Sequence, residues 1–316
     1  VASRCGDRAA QADALQLLGD AALARGRAFD ALEAAEEALE LLREQGREDE
    51  EAAALTTVIN ARLANAEPSE ALRTAKAAHE RARKLGSQKG EAAALQAVAS
   101  VCIHIRAPTE AVQALSNAQA LYKKLKDRKR EAGTLSMSIN AHLLTGDVDD
   151  AMRAAKEART IYQEAKDKRG EAEVLEIVTQ VYQAQGATND ALDAAKGMAV
   201  LLEQLGEQAS VAKARQMVSE LYIQKGDFTG ALKSAKESLS NSQKTGELTA
   251  EADALHLVAQ AHMMRHSSAV EGLKSEAEYA RLPQEDPREA VQAASRARNI
   301  FKQAGDTAKE IAVLHT

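Results

Sequence analysis

The side chains in this chain best able to do chemistry are its histidines and cysteines, and their spacing limits what they can do. His262 and His266 lie four apart, so a helix would carry both on one face, with His256 nearby. Two imidazoles can begin a metal site, but no carboxylate stands at ligand spacing to complete one. Cys5 and Cys102 are isolated, with no C-x-x-C and no paired spacing, which offers neither zinc nor a disulfide framework. There is no glycine loop to cradle phosphate, no H-E-x-x-H and no nucleophile elbow. Serine, histidine and aspartate are scattered, with nothing to make them converge. The expectation is a non-enzymatic protein with no catalytic residue, no metal and no cofactor.

The elements that must position any site are helices. The 316 residues are rich in strong helix formers, with no Trp and only three Phe, so tight packing through alanine has to replace a large aromatic core. A formal charge of −6 with 28% charged residues exerts no global pull on nucleic acid. The longest apolar stretch, Met198–Leu202, falls far short of the roughly 20 residues that span a bilayer. A soluble protein of a reducing compartment, cytoplasm or organelle interior, is expected; nothing in the sequence is an address. The chain does not begin with Met, which suggests processing or a fragment.

Two ladders at a step of forty decide the fold class. One runs Ala31-Leu32, Ala71-Leu72, Ala111-Val112, Ala151-Met152, Ala191-Leu192 and Ala231-Leu232. The other runs Ala14-Leu15, Ala54-Leu55, Ala94-Leu95, Thr134-Leu135, Val174-Leu175 and Ala254-Leu255. Each unit reads as helix A, a turn (Gly26, Gly146, Gly186 or Gly226), helix B, and a stop (Gly46, Gly86, Gly206 or Gly246). Pro68 and Pro108 stand where a helix B begins. The ladder alanines mark a close crossing of helices A and B, and neighbouring units must stack to bury their faces.

A leucine, an apolar residue three later, a small residue, a turn glycine and two alanines seven apart (Ala151 and Ala158) resemble the tetratricopeptide repeat (TPR) pattern. The forty-residue spacing is similar to the variant in kinesin light chains. Arg62, Cys102 and His142 depart from it, standing where the pattern has Tyr; His262 falls at the same position. The resemblance implies an all-α fold, a right-handed α-α superhelix (TPR-like solenoid) of about seven helix pairs. It also implies that helix A residues line a concave groove for partner proteins. That geometry puts Asp20, Asn60, Ser100, Asn140, Gln180, Glu220 and Gln260 along one polar line, again at steps of forty. Beside it run Leu63, Ile103, Leu143, Ile223 and Met263, which would offer pockets to a partner's side chains or pack on the neighbouring turn. Chaperone-binding members clamp a C-terminal carboxylate with Lys and Asn, but the positions that would supply the cations hold Thr57, Ala97, Met137 and Ile177.

The period fails once. From Ala231 the next helix B alanine, Ala290, is 59 residues on instead of forty, and Gly305 and Leu314 keep the shifted register. The chain therefore reads as tandem repeats over 1–265, an insertion over 266–286 and a continuation over 287–316. The insertion has amphipathic spacing and suggests a short helix from about Ser268 to Arg281, with Val270, Leu273, Tyr279 and Leu282 as candidate contacts. Gly6 aligns with Gly46, so the chain is expected to open at the tail of a helix B, and Ile311, Val313 and Leu314 to close it without a following partner. Neither end looks capped, which favours a segment of a longer array or ends covered by other proteins.

Loops between units carry Lys123 to Arg130 and Lys166 to Arg169, with Lys124, Lys129, Arg130, Lys168 and Arg169 forming a basic edge; the first such loop, Glu48 to Glu51, is acidic. The function expected is a scaffold or adaptor, as a structural or assembly subunit of a larger complex. It would bind other proteins, as peptide segments or folded subunits, through the groove and the insertion. The alternative is an RNA- or anionic-lipid-binding protein that uses the basic edge.

Overall fold

The computed structural model describes residues 2–271 and 285–315. Among them it holds fifteen helices and no strand. The chain divides into two compact units, Val1–Ala165 and Lys166–Thr316. The first contains α1 (Ala2–Ala24), α2 (Ala28–Gln45), α3 (Glu48–Ala64), α4 (Pro68–Leu85), α5 (Gln88–His104), α6 (Pro108–Leu125), α7 (Arg128–Thr145) and α8 (Val148–Glu164). The second contains α9 (Lys168–Ala184), α10 (Thr188–Leu205), α11 (Gln208–Lys225), α12 (Phe228–Thr245), α13 (Leu248–Glu271), α14 (Glu285–Ala304) and α15 (Thr307–Leu314). Within each unit consecutive helices pack on one another, the pairing expected of a TPR-like repeat. No helix among the described residues is long and apolar enough to cross a membrane.

The helices start and stop where the sequence supplies the chemistry. Pro68 and Pro108 open α4 and α6, where the missing N–H would have had no helical partner. Ser87, Asp127, Asp167, Asp227 and Asp306 each accept the backbone N–H three residues on, capping a helix. Most turns place a glycine in the left-handed region, such as Gly46 at φ +67° and Gly146 at φ +85°. In the same ladders Ala66, Arg106, Lys126 and Lys166 take that conformation at φ between 55° and 58°. A Cβ is disfavoured there. Ala66→Gly and Lys126→Gly are therefore each expected to stabilise the first unit by about 0.5–1 kcal/mol, read as a raised urea midpoint.

The ladder alanines Ala31, Ala71, Ala111, Ala151, Ala191 and Ala231 are all fully buried, and Ala290 in the shifted register is nearly so. Their crossings are close. A Cβ added to Gly19 would lie 3.4 Å from the Ala31 carbonyl oxygen, and Ser219 Oγ donates to the Ala231 carbonyl at 2.9 Å. At the positions that depart from the TPR pattern, Arg62 reaches Glu36, Glu67 and Glu70, while Cys102 is buried. An ion network thus takes the place of one aromatic ring.

Two expectations change. Gly6 does not end a helix: α1 runs through it without a break. A glycine inside a helix costs only about 1 kcal/mol, and Gly6 lacks the left-handed turn that makes Gly46 a stop. The helix before the insertion does not stop near His266 but continues to Glu271, so residues 266–271 belong to α13. The rest of the expected Ser268–Arg281 helix lies outside the described residues. Near the C-terminus Val313 is buried, whereas Ile311 and Leu314 are exposed.

Candidate functional site

In the first unit the odd-numbered helices lie side by side as well as against their even partners, α1 with α3, α3 with α5 and α5 with α7. Over the shared face of α3, α5 and α7 lies a cavity of about 300 Å³. Thr56 and Asn60 line it from α3, Gln96 and Ser100 from α5, and Arg130 and Met137 from α7, with Tyr122 of α6 at its floor. Helical spacing accounts for this: positions 56 and 60, or 96 and 100, are four apart and share a face.

A relay of hydrogen bonds fixes the floor. Tyr122 Oη donates to Gln96 Oε1 at 2.9 Å, Gln96 Nε2 donates to Thr134 Oγ1 at 2.8 Å, and Thr134 Oγ1 donates to the Arg130 carbonyl at 2.8 Å. Burial pushes the Tyr122 hydroxyl up to about 12, so at neutral pH it is a phenol that can donate. Sequence reasoning missed Gln96. Its signal was a further line at steps of forty, in which Gln16, Gln96 and Gln216 recur.

The polar line meets different fates along its length. Asn60 and Asn140 are exposed and Ser100 is half-buried. Asp20 is already engaged, accepting from Thr57 Oγ1 at 2.8 Å and from Gln16 Nε2 at 3.1 Å. In the second unit Gln180 is exposed and Gln260 half-buried. Glu220 is exposed in area, yet the surrounding protein desolvates its carboxyl and raises its pKa, with Asp253 adding repulsion. The neighbouring Leu63, Ile103, Leu143, Ile223 and Met263 are all half-buried, and Leu63, Ile103 and Ile223 pack on core clusters.

The basic edge is partly neutralised by acids from neighbouring repeats. These residues are not in loops as expected: Glu48–Glu51 form the first turn of α3, Lys124 lies in the last turn of α6, Lys129 and Arg130 begin α7, and Lys168 and Arg169 begin α9. Asp49 accepts from Lys89 Nζ at 2.6 Å and from Arg130. Glu51 in the same helical turn pairs with Arg43 and Arg81, and Arg169 with Glu207 at 2.9 Å. Stacking at a fixed period brings the acidic first turn of α3 beside the basic helix ends. Lys124, Lys129 and Lys168 stay exposed. Two further clefts, of about 250 and 200 Å³, sit at one repeat position, Ala52, Ala78 and Ala82 in the first unit answering to Ala172, Met198 and Leu202 in the second.

Of the insertion's candidate contacts, Val270 is half-buried near the end of α13; Leu273, Tyr279 and Leu282 lie outside the described residues. His262 is buried, with Nδ1 2.7 Å from Asp286 Oδ1, while Arg265 Nε donates to Asp286 Oδ2 at 3.0 Å. The Arg265 guanidinium, with His262 beside it, holds the Asp286 carboxyl below the usual range. These contacts tie α13 to α14 across the insertion. Among the described residues, no group of three His, Cys, Asp or Glu side chains could hold a metal ion.

No family model matches the chain, and no curated protein matches it in sequence. Its fold, however, recurs among solved structures. A signal transduction ATPase with numerous domains from Pyrococcus horikoshii, which has a tetratricopeptide repeat sensor, matches with a TM-score of 0.65 at 15% identity, over 90% of this chain and 43% of that one. TPR-like repeats of a Podosopora anserina putative kinesin light chain match with a TM-score of 0.52 at 14% identity, over 72% and 98% of the two chains. Aspartyl phosphate phosphatase F from Bacillus subtilis matches with a TM-score of 0.57 at 15% identity, over 89% and 73%. The fold is that of a TPR-like helical repeat protein, all-α and built from stacked helix pairs.

Proposed function

We propose that this chain is a non-enzymatic scaffold that holds a partner protein's extended segment along the shared face of its odd-numbered helices. The observation that carries this reading is the cavity over α3, α5 and α7, where Asn60 and Ser100 meet Gln96 and Arg130. Amide side chains donate and accept at once, as a peptide backbone requires. The sensor-bearing and kinesin-light-chain neighbours support a role in protein recognition. Membership of a larger assembly is part of the same proposal.

Selection of random twelve-residue peptides on the immobilised protein tests it. Peptides are expected to bind with micromolar affinity, and Asn60→Ala combined with Ser100→Tyr to weaken them about tenfold. Affinities unchanged in that variant would remove the groove from the proposal. The RNA or anionic-lipid reading requires binding that falls steeply with salt. It is the weaker one, because acids such as Glu207 beside Arg169 and Glu51 beside Arg81 interleave with the basic residues.

A further inference from the structure

Repeat arrays make their contacts between nearest neighbours. Lys89 with Asp49, Arg169 with Glu207 and Lys213 with Glu176 obey that rule. The pair of Asp49 with Arg130 does not: it reaches from α3 past α5 to α7, 81 residues along the chain. Asp49 thus holds two cations from two other repeats, at the end of the cavity that Arg130 lines.

Spacing puts this cluster on the same face as the groove. Asp49, Thr56 and Asn60 fall at i, i+7 and i+11 of α3, and Lys89, Gln96 and Ser100 repeat that spacing on α5. Along the row at steps of forty the chain has Asp49, Lys89 and Lys129, with Arg130 next to the last. Within that row Asp49 is the one carboxylate; Arg130 also lies 3.8 Å from Asp127 at the start of its own helix, and Lys129 is exposed. Arg130 Nη1 is buried without an acceptor, so its guanidinium keeps a donor unused. The Asp49 side chain is 53% exposed, open to displacement by a competitor.

We propose, building on the peptide-groove reading, that Lys89 and Arg130 form a cationic subsite for a carboxylate of the bound peptide, whose place Asp49 holds in the free protein. Hydrogen bonds from Lys89 and Arg130 hold the Asp49 carboxyl below its usual range, the behaviour of a carboxylate seated in a cationic cradle. A peptide carboxylate takes the same bonds, from an acidic side chain or from the C-terminus. Asp49 acts as an internal competitor, lowering apparent affinity by the fraction of time that it occupies the cradle.

Fluorescence anisotropy with three labelled ten-residue peptides tests this. One alternates alanine and glutamate with an amidated C-terminus, the second is its alanine–glutamine counterpart, and the third is that counterpart with a free C-terminal carboxylate. A ten-nucleotide uridine RNA forms a fourth arm. At least one carboxylate peptide is expected to bind more tightly than the neutral one, and which of the two does so identifies the source. Asp49→Asn and Asp49→Ser are each expected to tighten that binding about tenfold. Lys89→Gln combined with Arg130→Gln is expected to erase the preference, so that the carboxylate and neutral peptides bind alike, with circular dichroism confirming the fold. The proposal is overturned if neither Asp49 variant tightens carboxylate binding, or if the RNA binds best and loses most in the double variant. Peptides that bind without charge preference would overturn it and leave the groove reading intact. Failure of these probes and of the selected peptides alike to bind would overturn both.

Discussion

Phe301→Ala is expected to destabilise the second unit by about 3–5 kcal/mol, the range for removing a fully buried aromatic ring. Phe301 is wholly inaccessible and packs in a cluster with Leu232, Leu257, Val258 and Val313. Its ring also receives the Lys309 ammonium at 5.4 Å from the centroid, which adds a small cation–π attraction. Phe301 stands 59 residues after Ser242, the same shift that separates Ala290 from Ala231. In that register it corresponds to Leu42, Tyr122 and Leu202, each buried near the end of a helix B. Phe301 is the bulkiest of the buried side chains by which α14 and α15 join this cluster, beside Ala293, Ala297 and Val313. Urea unfolding followed by circular dichroism, with Phe301→Leu as the milder control at about 1 kcal/mol, checks it. A loss below 1 kcal/mol for the alanine variant would mean that the repeat register does not organise the packing beyond the insertion.

The fold was legible because a forty-residue period leaves the same mark at every repeat. Ala111 and Ala231 are buried for one reason, and reading either one predicts the other. Gly6 misled because a ladder position tells what a residue resembles and not which backbone conformation it takes. The cavity was half legible. Asn60 and Ser100 followed from the TPR resemblance carried along at steps of forty, whereas Tyr122 and Gln96 depended on which side chain finds which partner across the packed helices. The Asp49–Arg130 contact was not legible at all. Sequence spacing gives nearest-neighbour stacking, but how far a guanidinium reaches across an intervening repeat depends on how closely α3, α5 and α7 converge. For the same reason the acidic first loop and the basic ones read as separate features, although Asp49 joins them.

The ladder alanines make the second large prediction, opposite in sense because here the added atoms do the damage. Ala111→Leu is expected to cost the first unit about 2–3 kcal/mol, the upper part of the range for overpacking a filled core. Ala111 is fully buried, as are Ala71 and Ala151 at the equivalent crossings. At two such crossings the partner helix comes close to the backbone itself: Ser219 Oγ lies 2.9 Å from the Ala231 carbonyl, and a Cβ added to Gly19 would lie 3.4 Å from the Ala31 carbonyl. Backbone at that range cannot yield as a side-chain tip would, so three extra carbons must push the helices apart. Ala120→Leu supplies the control, since Ala120 lies on the same helix α6 but is exposed. There the substitution is expected to change stability by less than about 0.5 kcal/mol. Both variants share the same change in helix propensity and unfolded-state hydrophobicity, so the difference between their urea midpoints isolates the crossing. If the two proved alike, alanine at steps of forty would reflect helix propensity alone, and close approach of the paired helices would no longer explain the period.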